Sequence, residues 1–508
     1  MQKIPALLQH LVLGCSLLCG SLLSATVSAS PGANDYPAAV KGSLPASCQA
    51  DPNWFSKPAL PQEVKKSGAD GSSNFCDFYQ FSWQAFTYLM APTAKDATLR
   101  NFTDQQQFPE LEVNADGNAA NSCDDVHQSF SFFVRASKPQ DGDTPFLLPQ
   151  RIGQAGSHAT IYDQNGNVVY YDVRFSRNLC AVEKIKQLQN FPGGTTELKT
   201  AWKVLGAADD ASKYLTIDAK IGEQPGTSRL GMVGFHLAVA TPDHPEFVWA
   251  TFEHRSNAPD CDKPERSSGW SFTSAACSLA LQKGDQKGIK NCQFNSPTKQ
   301  QSLTGKPTEI CRVYPDGSAP TDLKYTENVA AIDALNQGVQ PYLQGPYAVL
   351  ANYINVGALW VSNPALSSDF PSGPGDQQSQ NPLNNQRGSL RLANTVAETD
   401  FQQVDFTSQF VSNCFGCHNF AGTGDASKGK NTTSGKLSHI FDDIAIGVGQ
   451  CLDVQTKVLA NNQADASSQC PAACTSASKA LKWNGQWTNT SAQTGQQLPM
   501  TVCGCCGG

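Results

Sequence analysis

Apolar and aromatic residues crowd into residues 74–90, NFCDFYQFSWQAFTYLM, where Phe78, Phe81, Phe86 and Leu89 recur among further aromatics. This predicts a buried helix whose rings serve the core. A different pattern governs residues 230–255, LGMVGFHLAVATPDHPEFVWATFEHR, in which two apolar runs flank PDHPE and predict two strands joined by a turn. His236 and His254 fall in those strands. Two strand histidines can build a metal-binding or haem-facing site, but only if an unknown register puts them on one face; most strand histidines are satisfied core or surface residues. The alternating segments QNGNVVYYDVRFS and FSFFVRAS add strands, so this part of the chain reads as mixed α and β.

Residues 363–388, NPALSSDFPSGPGDQQSQNPLNNQRG, break the pattern with Pro, Gly, Ser, Asn and Gln and almost no apolar content, as a linker or long exposed loop does. Periodicity resumes at 393–411, where Val396, Phe401, Val404 and Val411 fall at roughly helical intervals and Thr395 and Glu398 form a capping-box pattern. The spacing predicts a helix that delivers Cys414. A polar, glycine-rich loop follows, and then LSHIFDDIAIGVG, with His439, Ile440, Ile444 and Ile446.

Composition restricts the function classes. With 508 residues, 40% hydrophobic and 16% charged, the chain reads as globular with two or three domains, and a net charge of −7 makes nucleic acid an improbable partner. Lys3, the intermittent apolar stretch from Ile4 to Leu23 and Val27-Ser28-Ala29 read as a signal peptide over residues 1–29, with the mature chain starting at Ser30 in the periplasm or outside the cell. A lipidated Cys15 is the less favoured variant, since the apolar stretch before it is short and Leu13 is bulky. No later apolar run is long enough to span a membrane. No GxGxxG, P-loop or GxSxG element names a substrate.

Of the 18 cysteines, Cys15 and Cys19 leave with the signal peptide, and the remainder belong to a compartment where disulfides persist. The grouping suggests local bridges: Cys48 with Cys76, Cys123 with Cys180, and two among Cys261, Cys277, Cys292 and Cys311. Cys414, Cys417 and His418 stand apart as CFGCH. That spacing is the attachment signature of c-type haem, in which two thiols add across the porphyrin vinyl groups and the adjacent imidazole ligates the iron. Zinc is the competing chemistry, and it would need a second pair such as Cys470 and Cys474. His439 is the candidate sixth ligand, against a capping or surface role. A bis-histidine iron favours electron transfer to a redox partner protein, whereas an open position admits peroxide.

The segments FSWQAF, ELKTAWKVL, VGFHLAVATPDHPEFVWATFEH, LANTVAETDFQ and CFGCHN…LSHIF, spread over residues 70–445, together resemble a group of exported bacterial proteins described only as cytochrome c family proteins. That resemblance implies a single covalent haem c on a large domain and no particular reaction.

The C-terminal stretch NNQADASSQCPAACTSASKALKWNGQWTNTSAQTGQQLPMTVCGC is similar to the repeat of the cyanobacterial mannan-binding lectin family, through Ala464, Ala466, Pro471, Gly485, Gln486, Trp487, Met500 and Val502. The resemblance implies a small disulfide-stapled α+β module, with Met500 as a core residue of its sheet rather than a haem ligand. One repeat is present where that lectin has two, and Asn461 stands where the family has a tryptophan. Aromatic faces and amides are what sugars bind, and KWNGQWTN concentrates Trp483, Asn484, Gln486, Trp487 and Asn489 beside Gly485; a tryptophan-centred mini-core is the plainer use of the same residues.

The expected architecture is therefore α+β and multidomain. A large mixed domain (30–362), a linker (363–388) and a helical haem segment (389–450) precede a lectin-like module (451–508). The leading expectation is an exported monohaem protein that binds mannose-containing glycans and passes electrons. A peroxidase-type or sugar-oxidising haem enzyme, and a pure glycan-binding protein with structural haem, are the alternatives.

Overall fold

The computed structural model describes residues 48–108, 131–132, 134–136, 147–149, 159–177, 191–221, 227–299, 305–366, 368, 385–402, 413–418, 420, 422, 437–438, 451–477, 481–490 and 497–507. The signal peptide, Cys123, Cys180, Val404, Val411, the glycine-rich loop after CFGCH and His439 with the isoleucines beyond it lie outside these residues.

A largely antiparallel sheet organises the first part. Its main strands are β1 (Tyr170–Phe175), β2 (Thr196–Val204), β3 (Thr216–Ile221), β4 (Ser228–Val239), β5 (Val248–His254), β6 (Tyr353–Val361) and β7 (Gln386–Gly388). β1 pairs with β2, and β2 with β4. On its other edge β4 carries β3 along its first residues and β5 along the rest, then β6 pairs with β5 and β7 with β6. Both faces are covered, and all seven residues of β5 are buried. That is why β4 and β5 read as nearly continuous apolar runs.

One face packs against α1 (Phe75–Met90), the helix expected from its aromatic crowding. Thirteen of its 16 residues are buried, so it is a core helix with no solvent stripe. Asn74 and Asp77 form a reciprocal capping box that fixes its start. Phe86 stacks on Phe252 with centroids 3.8 Å apart, and Phe78 stacks on Trp360 at the same distance. The Cys48–Cys76 bridge ties the helix start to the chain before it, and Cys261–Cys311 and Cys277–Cys292 resolve the pairing of the middle four cysteines.

Two expectations change. Residues 393–402 do not form the first half of a helix: they run as turns into a 3-10 turn at Thr399–Gln402. The capping pattern is captured by long-range partners. Thr395 donates its N–H and hydroxyl to the buried Glu253 carboxylate, at 2.6 and 2.7 Å, and the carboxylate of Glu398 accepts from the N–H of Asn394 instead. The segment 363–388 is not a free linker at its ends, because it returns as the edge strand β7. The Asn385 amide donates to the carbonyls of Asn363 and Leu366, drawing the two ends of the loop together.

The C-terminal module comprises β8 (Cys451–Gln455), α6 (Gln463–Ala477), β9 (Leu481–Thr490) and β10 (Gln497–Gly507), with sheet order β8-β10-β9. Here α2 to α5 are Ala275–Lys283, Gln286–Cys292, Tyr325–Gly338 and Cys414–Cys417. Asn462 caps α6 by accepting from the N–H of Asp465 at 2.9 Å. Cys470 and Cys474 lie one helical turn apart and bridge to Cys503 and Cys505, two apart on β10. Four of the seven buried core residues are those half-cystines, the others being Ala460, Ala466 and Trp487. Sulfur thus fills a core too small to be built from side-chain hydrocarbon alone. Met500 does not join that core: the helix-facing residues of β10 are Thr501, Cys503 and Cys505, and Met500 alternates to the other face, where it is partly buried while Leu498 and Val502 join the large hydrophobic core of the central sheet.

Candidate functional site

Register decides the histidine question. His236 pairs with Thr251 across β4 and β5, so it shares a face with Trp249, Thr251 and Glu253. His254, an odd number of residues from Thr251, points to the opposite face. There it is a satisfied core histidine: its Nδ1 accepts from the N–H of Ser256 at 3.1 Å and its Nε2 donates to the Lys213 carbonyl at 3.0 Å. Burial pushes its pKa down to about 3, so the ring stays neutral. The strand histidines do not form a joint site.

The face that carries His236 also receives CFGCH. Asn413 caps the single turn α5, accepting from the N–H of Phe415 at 3.0 Å while its own amide donates to Gln386 Oε1 at 2.7 Å and the Leu390 carbonyl at 3.0 Å. Positions three apart on one turn lie on the same side, which sets residues 414 and 417 together. Phe415, Phe420 and Leu437 are fully buried among Phe247, Trp249 and Leu359. These walls come from strands and loops; the isoleucines expected after His439 lie outside the described residues.

His418 follows the turn with its ring 4.5 Å from Trp249. Its Nδ1 lies 2.9 Å from the Leu437 carbonyl. A carbonyl only accepts, so Nδ1 carries the proton and Nε2 keeps a lone pair. That is the tautomer a metal-ligating histidine needs, with the orienting hydrogen bond such ligands use. Trp249 is itself fixed, donating its indole N–H to the Glu246 carbonyl at 3.0 Å. Phe247 beside it holds φ at 68°, a left-handed backbone costly for an aromatic residue, and stacks on Phe191 at 5.1 Å. The residues present therefore fit a covalent haem: one turn bearing the two cysteines, a correctly tautomerised imidazole and an apolar wall. The zinc alternative loses its second ligand pair, because Cys470 and Cys474 are both disulfide-bonded.

Lys199 and Glu398 belong to this face; the sequence marks Glu398 only as a capping residue and does not mark Lys199 at all. Lys199 Nζ and His236 Nε2 each lie 3.2 Å from a Glu398 oxygen. Burial alone would raise the Glu398 pKa, but the His236 and Lys199 charges outweigh it and bring it to about 2. Lys199 is the cross-strand partner of His236, a pairing visible only once β2 and β4 are aligned.

In the C-terminal module, Trp483 pairs with Cys505 and Trp487 with Cys503, so four steps on β9 span two on β10. The surplus arches out as Asn484-Gly485-Gln486. Gly485 takes φ 88° at the crest, a conformation that favours glycine. Asn484 is exposed and its amide donates to Gln486 Oε1 at 3.2 Å while accepting from the Gln486 N–H at 2.9 Å. Beneath it a side chain at Gly504 would meet the Asn484 amide at 2.7 Å, so glycine makes room for the arch. Trp483 secures the arch by donating to the Gln486 carbonyl at 2.8 Å. Trp487 is 7% exposed and donates to Gln463 Oε1 at 2.6 Å, and Asn489 donates to the Ala460 carbonyl. Of the five expected carbohydrate-binding positions, three form the arch and the two tryptophans pack behind it.

A family model described as Mannan-binding protein matches residues 463–505, which hold α6, the arch and both staples. No curated protein and no solved structure matches the chain.

Proposed function

We propose that this protein is an exported monohaem c-type electron carrier that a C-terminal module attaches to mannose-containing glycans. The match across residues 463–505 supports the glycan half. Asn484, Gly485 and Gln486 would contact the sugar, since their amides both donate to and accept from hydroxyls, and the indoles of Trp483 and Trp487 hold them in place. The five disulfides among the described residues suit an exported chain.

The Nδ1–H of His418 on the Leu437 carbonyl supports the haem half. Cys414 and Cys417 would hold the group by thioether bonds and His418 Nε2 would ligate its iron. A bound haem supplies one-electron chemistry with a redox partner protein. The chain's own part is to orient the imidazole through Leu437 and exclude water with Trp249, Phe415 and Phe420.

Two measurements test the halves separately. Protein from a host that attaches c-type haem should show a sharp reduced α-band that survives denaturant; a spectrum without it sinks the haem reading. Retention on immobilised mannan should fall about tenfold in Gly504→Ala, which displaces the Asn484 amide, a loss of about 1.4 kcal/mol. Wild-type protein that ignores every mannose-type glycan on an array removes the glycan reading.

A further inference from the structure

The sixth position of an iron held by His418 needs a donor on the same face of the sheet, and the described residues offer few. Met90 and Met232 are buried in the core on the α1 side, and Met500 lies in the C-terminal sheet. His254 faces away with both nitrogens engaged. His244 holds its Nδ1 2.9 Å from Glu246 Oε1 and packs its ring on Phe78 of α1, at 4.9 Å. His236 remains.

Its position is suitable. Trp249, the residue against His418, lies two places from Thr251, the cross-strand partner of His236. His236 and Trp249 are therefore diagonal neighbours on one face, a relation that places residues about 7–8 Å apart with their Cβ atoms somewhat closer. The neighbours of His236 along that face of β4 are the small residues Gly234 and Ala238, while Lys199 and Thr251 flank it on the adjacent strands and Asn394 and Val396 lie over Gly234. The Nε2 atom is buried and close to Glu398 without an aligned hydrogen bond. Glu398 keeps Lys199 Nζ at 3.2 Å, so it would not be left without a countercharge if the imidazole turned away.

We propose that His236, through Nε2, is the sixth ligand of the iron held by His418, in place of His439. The assignment rests on the haem reading above. Oxidised and reduced spectra of the full chain, loaded with haem in vivo, test it in wild type, His236→Ala, His439→Ala and His236→Met. We expect low-spin iron in wild type and His439→Ala. His236→Ala should be high-spin and return to low-spin on adding imidazole. His236→Met, which keeps a side chain of similar size if the alanine variant fails to fold, should gain the near-infrared charge-transfer band of a sulfur ligand.

High-spin wild type, low-spin His236→Ala, no sulfur band in His236→Met, or loss of the low-spin form in His439→Ala each overturns the assignment. Absence of any haem band in wild type overturns the underlying haem reading instead, so the two failures are distinguishable.

Discussion

The two ends of this chain solve the same problem with different materials. Around the central sheet, rings stack: Phe86 on Phe252, Phe78 on Trp360, with α1 buried nearly all round. In the C-terminal module four of seven core residues are half-cystines and a single tryptophan is fully packed. The first region holds itself together by burying area, the second by constraining its unfolded chain. The contrast teaches that the two regions should fail under different insults.

Removing both C-terminal bridges, as the fourfold alanine variant of Cys470, Cys474, Cys503 and Cys505, should have the largest effect. Each bridge spans 31 or 33 residues and is worth about 3–4 kcal/mol. The module should become protease-sensitive while the main thermal transition keeps its midpoint; a protease-resistant module would show that its few apolar contacts suffice. Next comes Phe86→Ala, which should cost the sheet region about 3–5 kcal/mol in denaturant unfolding and leave mannan retention at native temperature unaltered. A cost below 1 kcal/mol would mean that α1 repacks freely.

The smallest effect separates the regions by acid. His254 titrates near 6.5 when unfolded and near 3 when folded, so the unfolded state takes the proton first. Stability is complete above pH 6.5 and declines below it, by about 1.4 kcal/mol at pH 5.5. Glu398, held near 2 against an ordinary 4.5, stabilises above 4.5 and ceases to as pH falls toward 2. His254→Gln should flatten the upper part of this profile in the sheet transition, and an unchanged slope between pH 6.5 and 5 would refute the assignment.

What sequence could reveal follows the range of the forces involved. The helix at Phe75–Met90, the hairpin around PDHPE and the Cys48–Cys76 bridge depend on near neighbours and were legible, whereas the middle four cysteines were legible as two bridges but not in their pairing. The helix expected over 393–411 failed across its described half because Glu253, 142 residues away, competes for Thr395. No local signal contains that contact. The opposed faces of His236 and His254 depend on cross-strand register, and the roles of Trp483 and Trp487 on a three-residue arch whose only local hint is Asn-Gly. Lys199 and Glu398 were invisible as a pair for a similar reason: strand alignment sets Lys199 beside His236, and the distant turn at 395–398 brings Glu398 to both.

The paired staples also fix the register of β10 against α6. If β10 slipped by two residues against α6, Cys505 would meet Cys470, while Cys474 and Cys503 would be left without partners. A misregistered module therefore carries thiols that thiol–disulfide exchange can attack, and the correct one carries none among these four. Thiol–disulfide exchange can thus distinguish the right alignment from its nearest error.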